Sequence, residues 1–222
     1  SSTVSASATS GFSIVSYTGT NATGTVGHGL GSTPKVVIYK NRTDVTNWYF
    51  TTTVIDGSND LLFLNTNEAS QTFSAPVATN SLLNLIANND TNGSGDNIIA
   101  YCFAEKQGFS KFGTYVGNGS TDGTFVYTGF KPAFVMIKRT DTGDNWLIKD
   151  IKRDPINQME KRIFPNLSNA EDTGSGGNYD FLSNGFKLRE SDAIGNASGG
   201  TYIYMAFAEA PLVGTNNVPC TA

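Results

Sequence analysis

The stretch NIIAYCFAE at residues 97–105 returns near the other end of the chain as TYIYMAFAE at residues 201–209. Each is a run of apolar and aromatic residues closed by Phe-Ala-Glu, at Phe103-Ala104-Glu105 and at Phe207-Ala208-Glu209. Other matches lie between them. Tyr17 and Gly19 match Tyr115 and Gly117, Pro34 matches Pro132, Lys40 matches Lys138, and Asn47-Trp48 matches Asn145-Trp146. The differences 115 − 17, 132 − 34 and 146 − 48 all equal 98, and 209 − 105 is 104. A constant interval shared by several motifs marks a tandem duplication whose second copy gained a few residues after its Trp. Each copy is too long for a solenoid repeat and has the length of a small domain.

Composition narrows the fold. Of 222 residues, 38% are hydrophobic and only 15% charged, and 24 are Gly. Asn, Ser and Thr fill much of the rest; they compete for the backbone in helices and suit short strands joined by tight turns. Turn residues alternate with short apolar runs along the whole chain. Residues 12–17 alternate in hydrophobicity, Val36-Val37-Ile38-Tyr39 is a continuous β-branched and aromatic run, and residues 48–55 form its return strand. Residues 61–64 and 81–87 add further strands, and the second copy repeats the order at residues 114–117, 124–127, 133–138 and 146–150. Residues 153–162 are the least strand-like part, and residues 181–188 read as a hairpin with an Asn184-Gly185 turn. This pattern predicts an all-β chain of two tandem, related antiparallel β-sandwich domains of jelly-roll type. The domains run over residues 11–107 and 108–211. Residues 1–10, SSTVSASATS, read as a linker or arm, and residues 212–222 as a C-terminal tail.

The charge balance is mildly acidic, with a formal net charge of −4. A nucleic-acid partner needs a clustered basic face, and none is legible. No stretch reaches the ~20 apolar residues of a membrane span, so no membrane insertion is predicted. Cys102 lies in the apolar cassette where the second copy has Ala206, which marks a small core position; a disulfide with Cys220 stays open. Asn-X-Ser/Thr triplets stand at Asn21, Asn41, Asn89, Asn92, Asn118, Asn166 and Asn196, a number that a chain rich in these residues produces by composition.

Few residues point to catalysis. His28 is the sole histidine and sits between two glycines, which reads as a turn residue rather than a general base. Glu105 and Glu209 resemble the carboxylate pair of a glycosidase, but they are repeat equivalents and each reads as doing one job in its own copy. The acidic loops at residues 88–96 and 141–144 match no defined calcium loop. No enzyme activity, metal or cofactor is therefore predicted. Trp48 and Trp146 are the candidate ligand-binding residues. An exposed Trp offers a stacking platform for a sugar ring, whereas a buried one pins one sheet onto another, and duplication leans towards the core role.

The block from Gly11 to Pro211 resembles a duplicated repeat domain of unknown function found in structural proteins of tailed phages of marine bacteria and cyanobacteria. The resemblance is carried by His28-Gly29-Leu30-Gly31-Ser32-Thr33-Pro34, Asn47-Trp48, Gly108-Phe109-Ser110-Lys111-Phe112-Gly113, Lys138-Arg139-Thr140-Asp141, Ser183-Asn184-Gly185-Phe186-Lys187-Leu188 and the two cassettes. It implies a virion surface protein, the C-terminal part of a tail fibre or spike that attaches to the host cell. Its implied partners are other virion proteins, further copies of itself in a homotrimer, and a host surface glycan or protein. The alternatives are a capsid decoration protein and a secreted bacterial carbohydrate-binding module. The resemblance brings no catalytic residues.

Overall fold

In the computed structural model, residues 2–174 and 176–209 are described. They divide into two units. The first takes the residues up to Asn65 and Ser70–Lys106; the second takes Thr66–Ala69 and the residues from Gln107 onward. Thr66–Ala69 joins the second unit through the Asn67 carbonyl, which accepts from Asp144 N–H at 2.8 Å and from Lys138 Nζ at 3.4 Å.

The first unit contains β1 (Ser2–Ser7), β2 (Phe12–Thr18), β3 (Gly24–Gly27), β4 (Val36–Asn41), β5 (Tyr49–Thr52), β6 (Asp60–Phe63), β7 (Gln71–Thr72), β8 (Leu82–Leu85), the four-residue helix α1 (Asn89–Asn92) and β9 (Asn97–Phe103). Seven strands form one antiparallel sheet in the order β1-β2-β9-β4-β5-β6-β7, and β3 pairs with β8. Period-two alternation sends Val15, Tyr17, Ile98, Ala100, Cys102, Val37, Tyr39 and Tyr49 to one face of the large sheet, where they meet Val26, Leu83 and Leu85 of the small one. That is a sandwich core.

The second unit contains β10 (Ser110–Val116), β11 (Phe125–Tyr127), β12 (Phe134–Arg139), β13 (Leu147–Asp150), β14 (Tyr179–Leu182), β15 (Gly185–Leu188) and β16 (Thr201–Phe207). A four-stranded sheet runs β10-β16-β12-β13 and a three-stranded one β11-β15-β14. Tyr115, Val135, Ile137, Leu147, Tyr202 and Tyr204 from the first pack with Val126, Tyr179, Phe181, Phe186 and Leu188 from the second. The chain is an all-β protein of antiparallel sandwiches. Among the described residues no helix is long and apolar enough to cross a membrane.

The two copies share the pairing of their central strands. Phe103 lies opposite Phe12 and Val36; Phe207 lies opposite Ser110 and Phe134, the residues 98 further on. The bridge Ile148↔Ile163 repeats the pair Phe50↔Leu62, so β6 survives in the second copy as a single contact. The intervals 148 − 50 = 98 and 163 − 62 = 101 place three of the gained residues between β13 and Ile163.

Three readings of the sequence need correction. Within the predicted linker at residues 1–10, residues 2–7 are a strand instead: β1 pairs with β2 from Ser2↔Tyr17 to Ser7↔Phe12. Every β1 residue is exposed, so its pairing rests on backbone hydrogen bonds and leaves no apolar pattern to read. The strand read at residues 114–117 begins earlier, at Ser110, as β10. The hairpin turn falls on Ser183 and Asn184, since Gly185 pairs with Leu182. The predicted tail at residues 212–222 and Cys220 lie outside the described residues.

Candidate functional site

The strongest candidate residues of the sequence turn out to serve as internal fastenings, one set per copy. His28 is fully buried. Its Nδ1 accepts the N–H of Leu30 at 3.3 Å, and its Nε2 lies 3.2 Å from the Thr79 carbonyl. An accepting Nδ1 leaves the proton on Nε2, so the ring is the neutral tautomer donating to Thr79. Burial lowers its pKa, against the opposing pull of that carbonyl. In the second copy Thr128 takes the same place. Its Oγ1 accepts from Phe130 N–H at 3.4 Å, and its N–H donates to Asn184 O as that of His28 donates to Ser81 O. Gly29 and Gly129 between them both hold positive φ, 72° and 84°. An imidazole and a hydroxyl thus perform one turn-closing task, and both ring nitrogens of His28 are engaged in it.

A second fastening was invisible in the sequence. Asn92 and Asn196 are fully buried. Asn92 Nδ2 donates to Ala22 O at 2.8 Å and Ile86 O at 2.9 Å, and its Oδ1 accepts from Thr20 N–H at 3.0 Å. Asn196 Nδ2 donates to Ser120 O at 2.8 Å and Glu190 O at 2.9 Å, and its Oδ1 accepts from Asn118 N–H at 3.0 Å. Each amide therefore ties three chain segments together. Beside it, Tyr17 Oη donates to Thr91 O at 2.5 Å and Tyr115 Oη to Gly195 O at 2.8 Å. Gly19 and Gly117 complete the arrangement. A Cβ there would stand 2.1 Å from the Gly93 carbonyl oxygen and 2.3 Å from that of Ala197, so no other residue fits. The signal that could have found these residues is the interval 196 − 92 = 104, the same as that of the Phe-Ala-Glu cassettes.

The two tryptophans share a backbone bracket and part company at the side chain. Trp48 N–H donates to Asn65 Oδ1 at 2.8 Å, and Asn65 Nδ2 donates to Asn47 Oδ1 at 2.9 Å. Trp146 N–H donates likewise to Asn166 Oδ1 at 3.0 Å, and Asn166 Nδ2 to Asn145 Oδ1 at 2.7 Å. Trp48 is 36% exposed but Trp146 only 1%. The reading of Trp146 as a ligand-binding residue is therefore corrected: its ring has no face open to a ligand. Trp48 keeps an open ring on a fixed backbone.

The remaining candidates are consumed locally. Glu105 and Glu209 end equivalent strands in different units, and Glu209 pairs with Lys152. Asp141 holds Arg139 through two bonds of 2.9 Å, and Asp96 accepts from Asn41 Nδ2 at 2.7 Å. Among the described residues no three His, Cys, Asp or Glu side chains gather as a metal-holding group. Burial pushes the Cys102 thiol up to about 12, which keeps it protonated and unreactive at neutral pH.

One buried charge belongs to the second copy alone. Lys149 stands where the first copy has Thr51. Its Nζ donates to Met159 O at 3.0 Å, Glu160 O at 2.8 Å and Asn178 Oδ1 at 3.3 Å. Burial lowers its pKa to about 8. It anchors the loop at residues 153–162, which is three residues longer than its counterpart in the first copy. Asn157 seals the same loop to β14, with Nδ2 donating to Phe181 O at 3.0 Å and Oδ1 accepting from Phe181 N–H at 2.9 Å.

What these features define is a duplicated all-β scaffold whose two copies share their interior fastenings and differ in what they present outside. The chain belongs to the family described as Domain of unknown function (DUF7483), whose match covers residues 1–211. No curated protein and no solved structure matches it.

Proposed function

We propose that the protein is a non-catalytic surface protein of a phage virion, the C-terminal part of a tail fibre or spike that attaches the particle to its host. The phage assignment rests on the sequence resemblance described above. The observation that carries the attachment role is the pattern of divergence between the copies. The Asn92 and Asn196 fastenings, the His28 and Thr128 turns and the Asn-Trp brackets are kept in both. The surface is not: Trp48 is open where Trp146 is closed, and the loop at residues 153–162 is three residues longer than its counterpart in the first copy. A scaffold held constant while its exterior varies suits recognition, because binding depends on surface groups that folding does not constrain. His28, the sole histidine, has both nitrogens committed to the backbone.

The test is adsorption. Purified chain added ahead of the virion should lower attachment of the particle to its host cells, and an antibody against the chain should label the tail tip. Label spread over the capsid shell would make this a decoration protein instead. Label nowhere on the particle, with the chain still binding bacterial polysaccharide, would favour the secreted module.

A further inference from the structure

The outward face of the β11-β15-β14 sheet carries a surface that the first copy lacks. Val126, Phe186, Leu188, Tyr179 and Phe181 take the inner face and are buried. The register therefore sets Phe125, Lys187 and Asp180 in one outer row, and Tyr127, Gly185 and Leu182 in the next. Phe125 is 43% exposed and Tyr127 62%. The Phe125 ring lies over Gly185, where an added methyl would meet two ring atoms at 3.0 Å. In the first copy the strand pair β3–β8 occupies this place, with Val26 and Leu83 as the inward pair that Val126 and Phe186 form here. The residues flanking Val26 are Thr25 and Gly27. The fold thus closes its core without an aromatic residue at either position, and two rings left in water must be kept for another reason.

Beside the same sheet is an open depression of about 480 Å³, lined by Thr121 ahead of β11, Arg189 just after β15, Asp180 of β14, and Asn157 and Gln158. Arg189 donates from Nε and Nη2 to Asp180 Oδ2, both at 2.5 Å, and stays 38% exposed at its side chain. Lys187 pairs with Asp122 at 2.8 Å. Each charge on this face therefore has an opposite neighbour, and the surface is close to neutral. The Thr121 hydroxyl and the Gln158 side-chain amide have no hydrogen-bond partner among the described residues. Gln158 is delivered by the lengthened loop at residues 153–162, which Lys149 and Asn157 fix to the sandwich.

We propose that this face binds a neutral oligosaccharide. Phe125 and Tyr127 take the apolar faces of sugar rings, and Arg189, Gln158 and Thr121 hydrogen-bond the hydroxyls of a neighbouring unit. The chemistry favours a glycan over the alternatives. An anionic polymer needs unpaired cations, and both cations here are paired. A folded protein partner favours a continuous apolar centre with a polar rim, whereas this surface sets two rings at one side and hydrogen-bonding groups at the other. The inference rests on reading the chain as a surface-binding protein, though not on its being viral.

The experiment places the full chain on an array of neutral gluco-, manno- and galacto-oligosaccharides and measures the best ligand by titration calorimetry. The double variant F125T/Y127G, which installs the residues of the first copy, should weaken binding at least tenfold, and Q158A several-fold. V45A, at a fully exposed position of the first unit, should leave it within twofold. Circular dichroism of each variant must match the parent; should the double variant misfold, Y127A alone is read in its place. Binding lost in W48A and kept in F125T/Y127G would overturn the assignment of the site. Absence of any oligosaccharide binding by a chain that still blocks adsorption to cells would overturn the glycan inference and leave the attachment reading standing. A chain that binds oligosaccharides but never adsorbs to cells or particles would do the reverse.

Discussion

Replacing Asn92 by Ala should destabilise the first unit by about 3 kcal/mol. The substitution removes three hydrogen bonds, from Thr20 N–H to Oδ1 and from Nδ2 to the carbonyls of Ala22 and Ile86. A polar group stranded by loss of its partner costs about 1–3 kcal/mol. Thr20 and Ala22 lie at exposed positions, so water reaches their backbone once the amide is gone and holds each cost near the low end. Ile86 is half-buried and its carbonyl stays poorly solvated. The sum is about 2–4 kcal/mol, a large part of the ~5–15 kcal/mol that a domain commands. Asn92→Asp should be worse than Ala at neutral pH. It keeps the acceptor for Thr20 and turns the donor into a charged oxygen facing two carbonyls. The assay is urea denaturation followed by fluorescence in a W146F background, where Trp48 alone reports from the same unit. At a slope of about 1–1.5 kcal/mol/M the midpoint should fall by roughly 2–3 M. A shift worth less than about 0.5 kcal/mol would refute the claim that this amide ties the three segments together.

Four further outcomes are expected. His28→Thr installs the second copy's solution and should cost less than about 1 kcal/mol, while His28→Leu, which leaves Leu30 N–H and Thr79 O unmet, should cost about 2 kcal/mol in the same denaturation assay. Because burial holds the His28 pKa below its unfolded value of about 6.5, folding requires the neutral ring. The native state then binds fewer protons than the unfolded one below that pH, so stability is full above about 6.5 and falls on acidification, by up to ~1.4 kcal/mol per pH unit; His28→Thr should flatten that part of the pH–stability curve. Gly117→Ala should destabilise strongly, since its Cβ meets the Ala197 carbonyl oxygen at 2.3 Å, and a calorimetric melting temperature unchanged from the parent would contradict the close approach. In a C220S background the Cys102 thiol should stay silent to a thiol reagent in native buffer and react fully in denaturant; rapid native labelling would show that the β9 core is open.

The fold was legible wherever burial imposed a pattern. Val36–Asn41 and the two cassettes are central strands flanked on both sides, so their apolar runs and their shared intervals locate them. Residues 2–7 carried no such mark, because an edge strand with every side chain in water needs only backbone partners. The site was harder to read for a chemical reason. His28 and Thr128 share no resemblance as letters, yet each supplies one acceptor at one point. Asn92 and Asn196 looked like loop composition and like glycosylation triplets, although full burial leaves neither amide open to an attached sugar in the folded chain. Trp48 and Trp146 matched as letters and diverged in exposure, which depends on neighbours that a sequence interval does not encode. Phe125 and Tyr127 were read only as strand residues, since alternation alone does not tell an exposed aromatic from a buried one.

The position of β9 and β16 has a consequence for how the protein is made. Each is the last strand of its copy, and each lies in the middle of its sheet, with β2 and β4 on either side of β9 and β10 and β12 on either side of β16. Phe12 meets Phe103 across 91 residues of chain and Ser110 meets Phe207 across 97. On the ribosome the earlier strands of a copy emerge with a gap where their common neighbour belongs. Closing so long a loop is entropically costly, and sheets built on such distant pairings fold slowly, in milliseconds to seconds. Until the final cassette leaves the exit tunnel, two strand edges on either side of the gap are exposed to other chains. Truncation therefore acts unequally along the sequence: removal of β1 trims an edge, whereas a stop codon before Thr201 withdraws the strand to which β10 and β12 both pair.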